Sequence, residues 1–307
     1  MDEATKRLYI EYNDPAPRNR TLFLTEADRE RYSELATIDA LRKGLRAGAP
    51  FPELANCVYL GDCVEGMSLL PDGVVSLVFA DPPYNLGKNF GNNRMRRSDR
   101  AYGEWSDQWI REAVRLLKPD GSIYVCSDWR YSGMIQATLG KHVIVKNRIT
   151  WQREKGRGSQ RNWKNNMEDI WFAVKSEDYV FNVEEVKIKK QVLAPYREDG
   201  QPKDWFEKNG ERYRYTYPAN IWSDTVVPFW SMPENTPHPT QKPEMIVERV
   251  LAASSNPGDV VLDPFMGSGT TAVVATRLGR PFIGFEINEE YVRLCAKRMD
   301  TAQPGLL

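Results

Sequence analysis

The 307-residue chain has few cysteines, no long apolar run and no excess of charge of either sign, and each shortage removes a class of protein. The four cysteines stand at 57, 63, 126 and 295 without a Cys-x-x-Cys spacing, so neither a zinc site nor a disulfide scaffold is indicated. No metal is expected. Without a disulfide framework the natural home is a reducing cytoplasm. Nowhere do roughly 18 apolar residues follow one another, and Met1 to Arg20 has no apolar run of signal-peptide length, so no membrane segment is expected. Basic and acidic residues balance at 42 and 42. An even sum does not exclude nucleic acid, because binding follows where positive charge clusters and not its total. No repeat or low-complexity tract divides the chain, whose length suits one large domain or two smaller ones.

What is present centres on Val74 to Tyr84. An apolar, β-branched run passes straight into Asp81-Pro82-Pro83-Tyr84, which reads as a fully buried strand stopped at its carboxyl end. The prolines fix φ and remove two backbone donors, so the chain leaves the sheet stiffly and presents a carboxylate beside an aromatic face. On its own the stretch also admits a plain Pro-Pro turn with Tyr84 as core filling, the less favoured of the two readings. A second stretch shifts the balance: Val260 to Leu262 leads through Asp263-Pro264-Phe265-Met266 into Gly267-Ser268-Gly269-Thr270-Thr271, a strand entering a glycine-rich turn and a helix. Such a turn lets backbone approach a ligand, and its helix start favours a negative group. Glu286 ends the next strand, where a carboxylate can accept both hydroxyls of a ribose. A dehydrogenase would also use Gly267-x-Gly269, but Ala272 stands where its third glycine belongs, and Asp81 to Tyr84 would have no purpose.

These two stretches resemble the catalytic and cofactor signatures of S-adenosylmethionine-dependent DNA amino-methyltransferases. The catalytic signature comes first, which is the permuted order of that family's β group. The resemblance covers roughly residues 57 to 181 and 215 to 300. It implies that Asp81, Pro82, Pro83 and Tyr84 are catalytic. It also implies cofactor binding by Asp263, Phe265, Gly267, Ser268, Gly269, Thr270 and Glu286, with Asp62 meeting the adenine. The phrase His238-Pro239-Thr240-Gln241-Lys242-Pro243 would border the methionine end, through His238, Thr240 and Lys242. Asp at the first catalytic position resembles adenine-N6 enzymes more than cytosine-N4 enzymes, which more often carry Ser; cytosine N4 is the alternative target. Methylation at cytosine carbon 5 would need a thiolate following proline, and none of the four cysteines follows one. RNA or protein-glutamine methylation usually goes with Asn at that first position, and a DNA-binding module with a vestigial cofactor site is disfavoured by two intact signatures. The resemblance admits a cognate restriction endonuclease and a homodimer as partners besides double-stranded DNA.

Taken in order, residues 1–56 read as a helical arm, patterned as helix from Thr25 to Gly44 with a Thr25-to-Asp28 cap. Strands are expected at 58–60, 74–80, 122–126, 143–151, 166–174, 260–262 and 282–285. Helices are expected at 64–70, 105–117, 131–139, from about Pro243 to 254, from Thr270 to 278, and through Met299. Their alternation predicts a doubly wound, mostly parallel sheet, a Rossmann-like methyltransferase core formed by 57–181 and 234–307, with the strands leading to Asp81 and Asp263 side by side. Residues 182–233 mix charge, aromatics and proline without a period and are assigned to target recognition. Two basic tracts are expected to contact DNA phosphates: the loop with Lys88, Arg94, Arg96, Arg97 and Arg100, and the segment with Arg153, Lys155, Arg157, Arg161 and Lys164, where Trp151 and Trp163 could stack bases.

Overall fold

The computed structural model describes residues 18–86, 89–90, 93–94, 96–153, 160–192, 197–199 and 201–302. Eight strands form the main sheet: β1 (Cys57–Leu60), β2 (Val75–Ala80), β3 (Leu117–Ser127), β4 (Ile144–Gln152), β5 (Met167–Val174), β6 (Ile221–Trp222), β7 (Val261–Asp263) and β8 (Phe282–Glu286). Their spatial order is β1-β8-β7-β2-β3-β5-β4-β6. Every pairing is parallel except those of β5, which runs against both β3 and β4. The expected neighbours β2 and β7 pair directly, with Leu77 opposite Val261 and Val78 opposite Leu262.

Among the described residues eight α-helices accompany the sheet: α1 (Glu26–Arg31), α2 (Ile38–Arg46), α3 (Cys63–Leu69), α4 (Asp99–Leu116), α5 (Ser132–Leu139), α6 (Glu244–Ser254), α7 (Thr270–Arg277) and α8 (Glu289–Thr301). Strand periodicity sends successive side chains to opposite faces, so β2 feeds two cores. Val78 and Ala80 join Leu41, Met67, Trp109 and Ile135 of α2 to α5. Leu77 and Phe79 join Ile246, Val250, Val274 and Val292 of α6 to α8. A strand buried on both faces needs the continuous apolar run that Val75 to Ala80 supplies. Among the described residues no helix is long and apolar enough to cross a membrane.

Three expectations change. The stretch from Thr25 to Gly44 forms two helices, because Ala36 and Thr37 are extended alongside β1: Leu60 N–H donates to the Ala36 carbonyl at 2.8 Å and Thr37 bridges Leu60. Thr25 and Asp28 do form a capping box. The helix expected from Trp105 begins six residues earlier, at Asp99, capped by Ser98, which moves Arg100 from loop to helix. The segment without a period is not irregular throughout: Ile188–Gln191, Phe206–Lys208 and Glu211–Thr216 form a separate antiparallel sheet with Glu211–Thr216 in the middle.

Candidate active site

Parallel strands deliver their carboxyl ends to one edge, and that edge carries a cleft. Asp62 follows β1, Asp81 follows β2, Asp263 ends β7 and Glu286 ends β8; all four line the cleft with Tyr84, Trp105, Phe265, Gly267, His238 and Lys242. Tyr84 and Phe265 therefore look into the same space. The walls are partly aromatic, since Phe265 packs against Trp105 and Trp109 at ring-centre distances of 5.6 and 5.2 Å.

The glycine-rich turn is held by its own side chains. Asp263 accepts hydrogen bonds from Phe265 N–H at 2.9 Å and from the Thr271 hydroxyl. Burial pushes its carboxyl up to about 7, against the lowering effect of those two donors. Gly267 has φ +54°, and a Cβ there would lie 3.1 Å from His238 Nε2. Gly269 has φ +87° and runs against Cys295. Both positions need glycine on conformation and on space. Glu286 accepts from Gly267 N–H at 2.9 Å with one oxygen and from Asn288 N–H at 2.8 Å with the other. Each carboxylate oxygen retains a second lone pair, the pair of acceptors that a ribose diol needs. Burial raises the Glu286 pKa against those N–H donors. Asp62 caps α3, accepting from Val64 and Glu65 N–H, so it is structural as well as facing the cleft.

Ser268 and Thr270 face a residue that sequence reasoning missed. Arg298 of α8 is buried, and its guanidinium donates to the Ser268 carbonyl at 3.0 Å, to the Thr270 hydroxyl at 3.1 Å and to Glu244 of α6 at 2.9 Å. Thr270 in turn donates to the Lys242 carbonyl at 3.1 Å. His238 packs edge-on against Tyr291 at 4.5 Å. Burial, then Lys242 and Arg298, drives its pKa down to about 3, so the ring is neutral. Thr240 lines the cleft and its N–H reaches His238 Nδ1 at 3.4 Å.

Around Asp81 the geometry differs from the expectation for two residues. Lys242, expected near the methionine end of the cofactor, is 5% exposed and aims its ammonium at Asp81 Oδ2 at 2.6 Å. The same nitrogen reaches Glu168 at 3.2 Å and the Tyr84 hydroxyl at 3.0 Å. The Tyr84 hydroxyl donates to Asp81 Oδ1 at 2.7 Å. Arg153, expected on DNA phosphate, instead turns inward and pairs with Glu168. Burial raises Asp81 above its usual range against the pull of Lys242. For Glu168, Lys242 and Arg153 outweigh burial and the net shift is downward. For Lys242, burial is outweighed by Asp81 and Glu168, so the ammonium stays charged. Glu168 was missed because β5 is reversed: in a wholly parallel sheet, the start of a strand lies at the far edge, but here it lies at the cleft.

The basic tracts divide. Asn85, at φ +56°, accepts from Arg97 N–H at 2.6 Å and donates to the Arg97 carbonyl at 2.9 Å, tying the arginine loop to the residue after Tyr84. The Arg97 guanidinium lies over Trp105 at 5.1 Å, and Arg96, Arg97 and Arg130 line a polar cavity beside the cleft. Arg100 is paired with Glu104. Arg161 and Lys164 are exposed, as is Trp163 at 93%, whereas Trp151 is 2% exposed and belongs to the core, so it offers no face to a base. Lys88, Lys155 and Arg157 lie outside the described residues, as does the side chain of Arg94.

Comparison with known proteins agrees with this architecture. Residues 75–297 match the N6_N4_Mtase family, described as DNA methylase. The chain belongs to this DNA methylase family. It is 35% identical over 259 residues to the DNA adenine methyltransferase YhdJ of Escherichia coli (strain K12), covering 82% of this chain and 85% of that one. It is 32% identical over 247 residues to the type II methyltransferase M.HpaI of Haemophilus parainfluenzae, covering 80% of this chain and 74% of the relative. Among solved structures, the PvuII DNA methyltransferase (cytosine-N4-specific) shares the fold with a TM-score of 0.59 and 22% identity, covering 79% of this chain and 85% of that one.

Proposed function

We propose that this DNA methylase moves a methyl group from S-adenosylmethionine to adenine N6 of a base flipped out of double-stranded DNA at a short specific sequence. The observation that carries the reading is the shared cleft: the carboxylate and ring of Asp81-Pro82-Pro83-Tyr84 face the same space as the Gly267-Gly269 turn and Glu286. Asp at the head of the motif, and the adenine activity in the name of a relative at 35% identity, favour adenine over cytosine. The order of the two motifs fits the permuted β group.

When bound, the cofactor supplies a methyl group on a sulfonium. Glu286 would hold the ribose hydroxyls, Asp62 the adenine, and the Gly267-Gly269 turn with His238 and Thr240 the amino-acid end. An exocyclic amino group is a poor nucleophile because its lone pair is delocalised into the ring. Asp81 and the Pro82 carbonyl accept its two hydrogens and favour the pyramidal form, while Tyr84 offers a face for the extruded base. Asp81 orients the amine, and the amine's proton leaves once nitrogen has become cationic.

The aromatic and cationic sheet of Ile188–Gln191, Phe206–Lys208 and Glu211–Thr216 serves target recognition, and the transferase core comprises residues 57–181 and 234–307 together with Ile221–Trp222, which lies inside the expected recognition segment but extends the main sheet. The type II name of one relative supports a companion endonuclease for this chain. The test is incubation of unmethylated DNA with labelled S-adenosylmethionine, followed by nucleoside analysis. Label in N6-methyladenine is expected; label in N4-methylcytosine would reassign the target, and no label in DNA would end the reading.

A further inference from the structure

Each oxygen of the Asp81 carboxylate already holds one donor. Tyr84 donates to one oxygen at 2.7 Å and the Lys242 ammonium to the other at 2.6 Å. The amino group of a target base needs that same carboxylate, and the Lys242 ammonium already stands against one of its oxygens, a cation beside the place where the amino nitrogen becomes cationic. Lys242 has a second acceptor already within reach, Glu168 at 3.2 Å, and a third in the Tyr84 hydroxyl at 3.0 Å. All three ammonium protons are therefore spoken for, and two of the acceptors remain when Asp81 is surrendered. Glu168 is itself balanced by Arg153, so the cluster of buried Lys242 and Glu168 with half-buried Asp81 and Arg153 comprises two carboxylates and two cations with no net charge.

We propose that Lys242 stands in for the target amino group in the free protein, and that Glu168 is the positioning residue that draws it off Asp81 when the base enters. This rests on the amino-methyltransferase reading above. The charge logic is specific to the reaction. As the carbon–sulfur bond breaks and the carbon–nitrogen bond forms, positive charge passes from sulfur, which leaves as a neutral thioether, to the amino nitrogen, which then sheds a proton to solvent. An uncompensated ammonium beside that nitrogen would oppose the transfer in a low-dielectric pocket. Glu168 keeps Lys242 neutralised in both positions. A buried charge without its partner is costly, which is why the two must be gained or lost together.

Four proteins test this: wild type, Glu168→Gln, Lys242→Met and the double variant. Glu168→Gln keeps shape and an acceptor but leaves Lys242 pinned to Asp81 with a net positive charge. Lys242→Met leaves two carboxylates facing each other, so Asp81 takes up a proton at neutral pH. Each single change should slow single-turnover methyl transfer to unmethylated DNA by about 10²-fold, the scale of losing one preorganised charged group. The double variant, neutral again, should be faster than either single variant. Raising the pH should restore Lys242→Met but not Glu168→Gln. A cofactor-free readout accompanies the rates: carboxyl-carbon NMR of Asp81 in the free protein should show its titration displaced upward by Lys242→Met and returned towards the wild-type position in the double variant. The other titratable groups facing Asp81 are Tyr84 of its own turn, Tyr102 of α4, Cys126 of β3 and Asp263 of β7, and they are common to all four proteins. Additive losses, with the double variant slowest, would overturn the proposal while leaving the methyltransferase reading intact. A wild type that transfers nothing to DNA would instead end that reading, and this inference with it. If Glu168→Gln does not fold, the pH dependence of Lys242→Met alone decides, and a rate deficit that does not lessen with rising pH overturns the proposal.

Discussion

Asp81 sits where an acid meets an ammonium, a phenol and a cofactor cleft, so its removal should separate chemistry from binding. Asp81→Ala should lower transfer by about 10² to 10⁴-fold while cofactor affinity, measured by calorimetry without DNA, stays close to wild type. Gly267→Val should do the reverse, because the left-handed backbone and the 3.1 Å approach to His238 leave no place for a side chain. Equal losses of affinity in both would mean that the two halves of the cleft are misassigned. His238 gives a pH signature. Its folded value of about 3 lies below its ordinary 6.5, so below that pH the unfolded chain takes up a proton that the folded one refuses. Its contribution is complete above about pH 6.5 and is lost as pH falls towards 3. Asp263, raised to about 7, works in the opposite sense, costing stability as pH rises from about 4 through 7. His238→Gln should therefore flatten the fall in melting temperature between pH 6.5 and 4; an unchanged slope would show that the ring is not buried neutral.

At the scale of elements, the parallel core was legible because buried strands and helix stops leave strong local marks. Val75 to Ala80 is apolar without a break, and Asp263 to Thr271 carries its turn in its glycines. The reversed β5 was not legible: its run of apolar residues looks the same in either direction, and only the lack of a helical pattern in the sequence between Gln152 and Met167 hinted that the chain doubles back. That reversal hid Glu168 and turned Arg153 from a surface cation into its half-buried partner. Arg298 was hidden for another reason, since one arginine near a helix end is ordinary and nothing nearby in sequence names its targets 28 to 54 residues away. Arg298 should nonetheless be a structural staple of α8, α6 and the glycine-rich turn. Arg298→Met leaves the Ser268 carbonyl without this donor while Glu244 keeps its pair with Arg277, and denaturant titration should show a loss of about 1.5 to 3 kcal/mol, the scale of hydrogen bonds to a charged group. A loss below about 1 kcal/mol would mean that the turn holds itself.

For the whole molecule, an even charge balance conceals a basic face at the mouth of the cleft. Arg96 and Arg97 border Tyr84 through the Asn85 tie, so replacing both with alanine should flatten the plot of log DNA affinity against log salt by about 0.9 for each phosphate that is no longer neutralised. Arg100, already paired with Glu104, should change it little. An unchanged slope in the double alanine variant would remove the arginine loop from the DNA-facing surface. The most direct measurement of the central claim is sequencing that maps modified bases across the genome of a host expressing the protein, beside a host expressing Asp81→Ala. N6-methyladenine at one short recurring sequence, absent from the Asp81→Ala strain, is the predicted result; methylation at cytosine N4, or identical maps in the two strains, would contradict it.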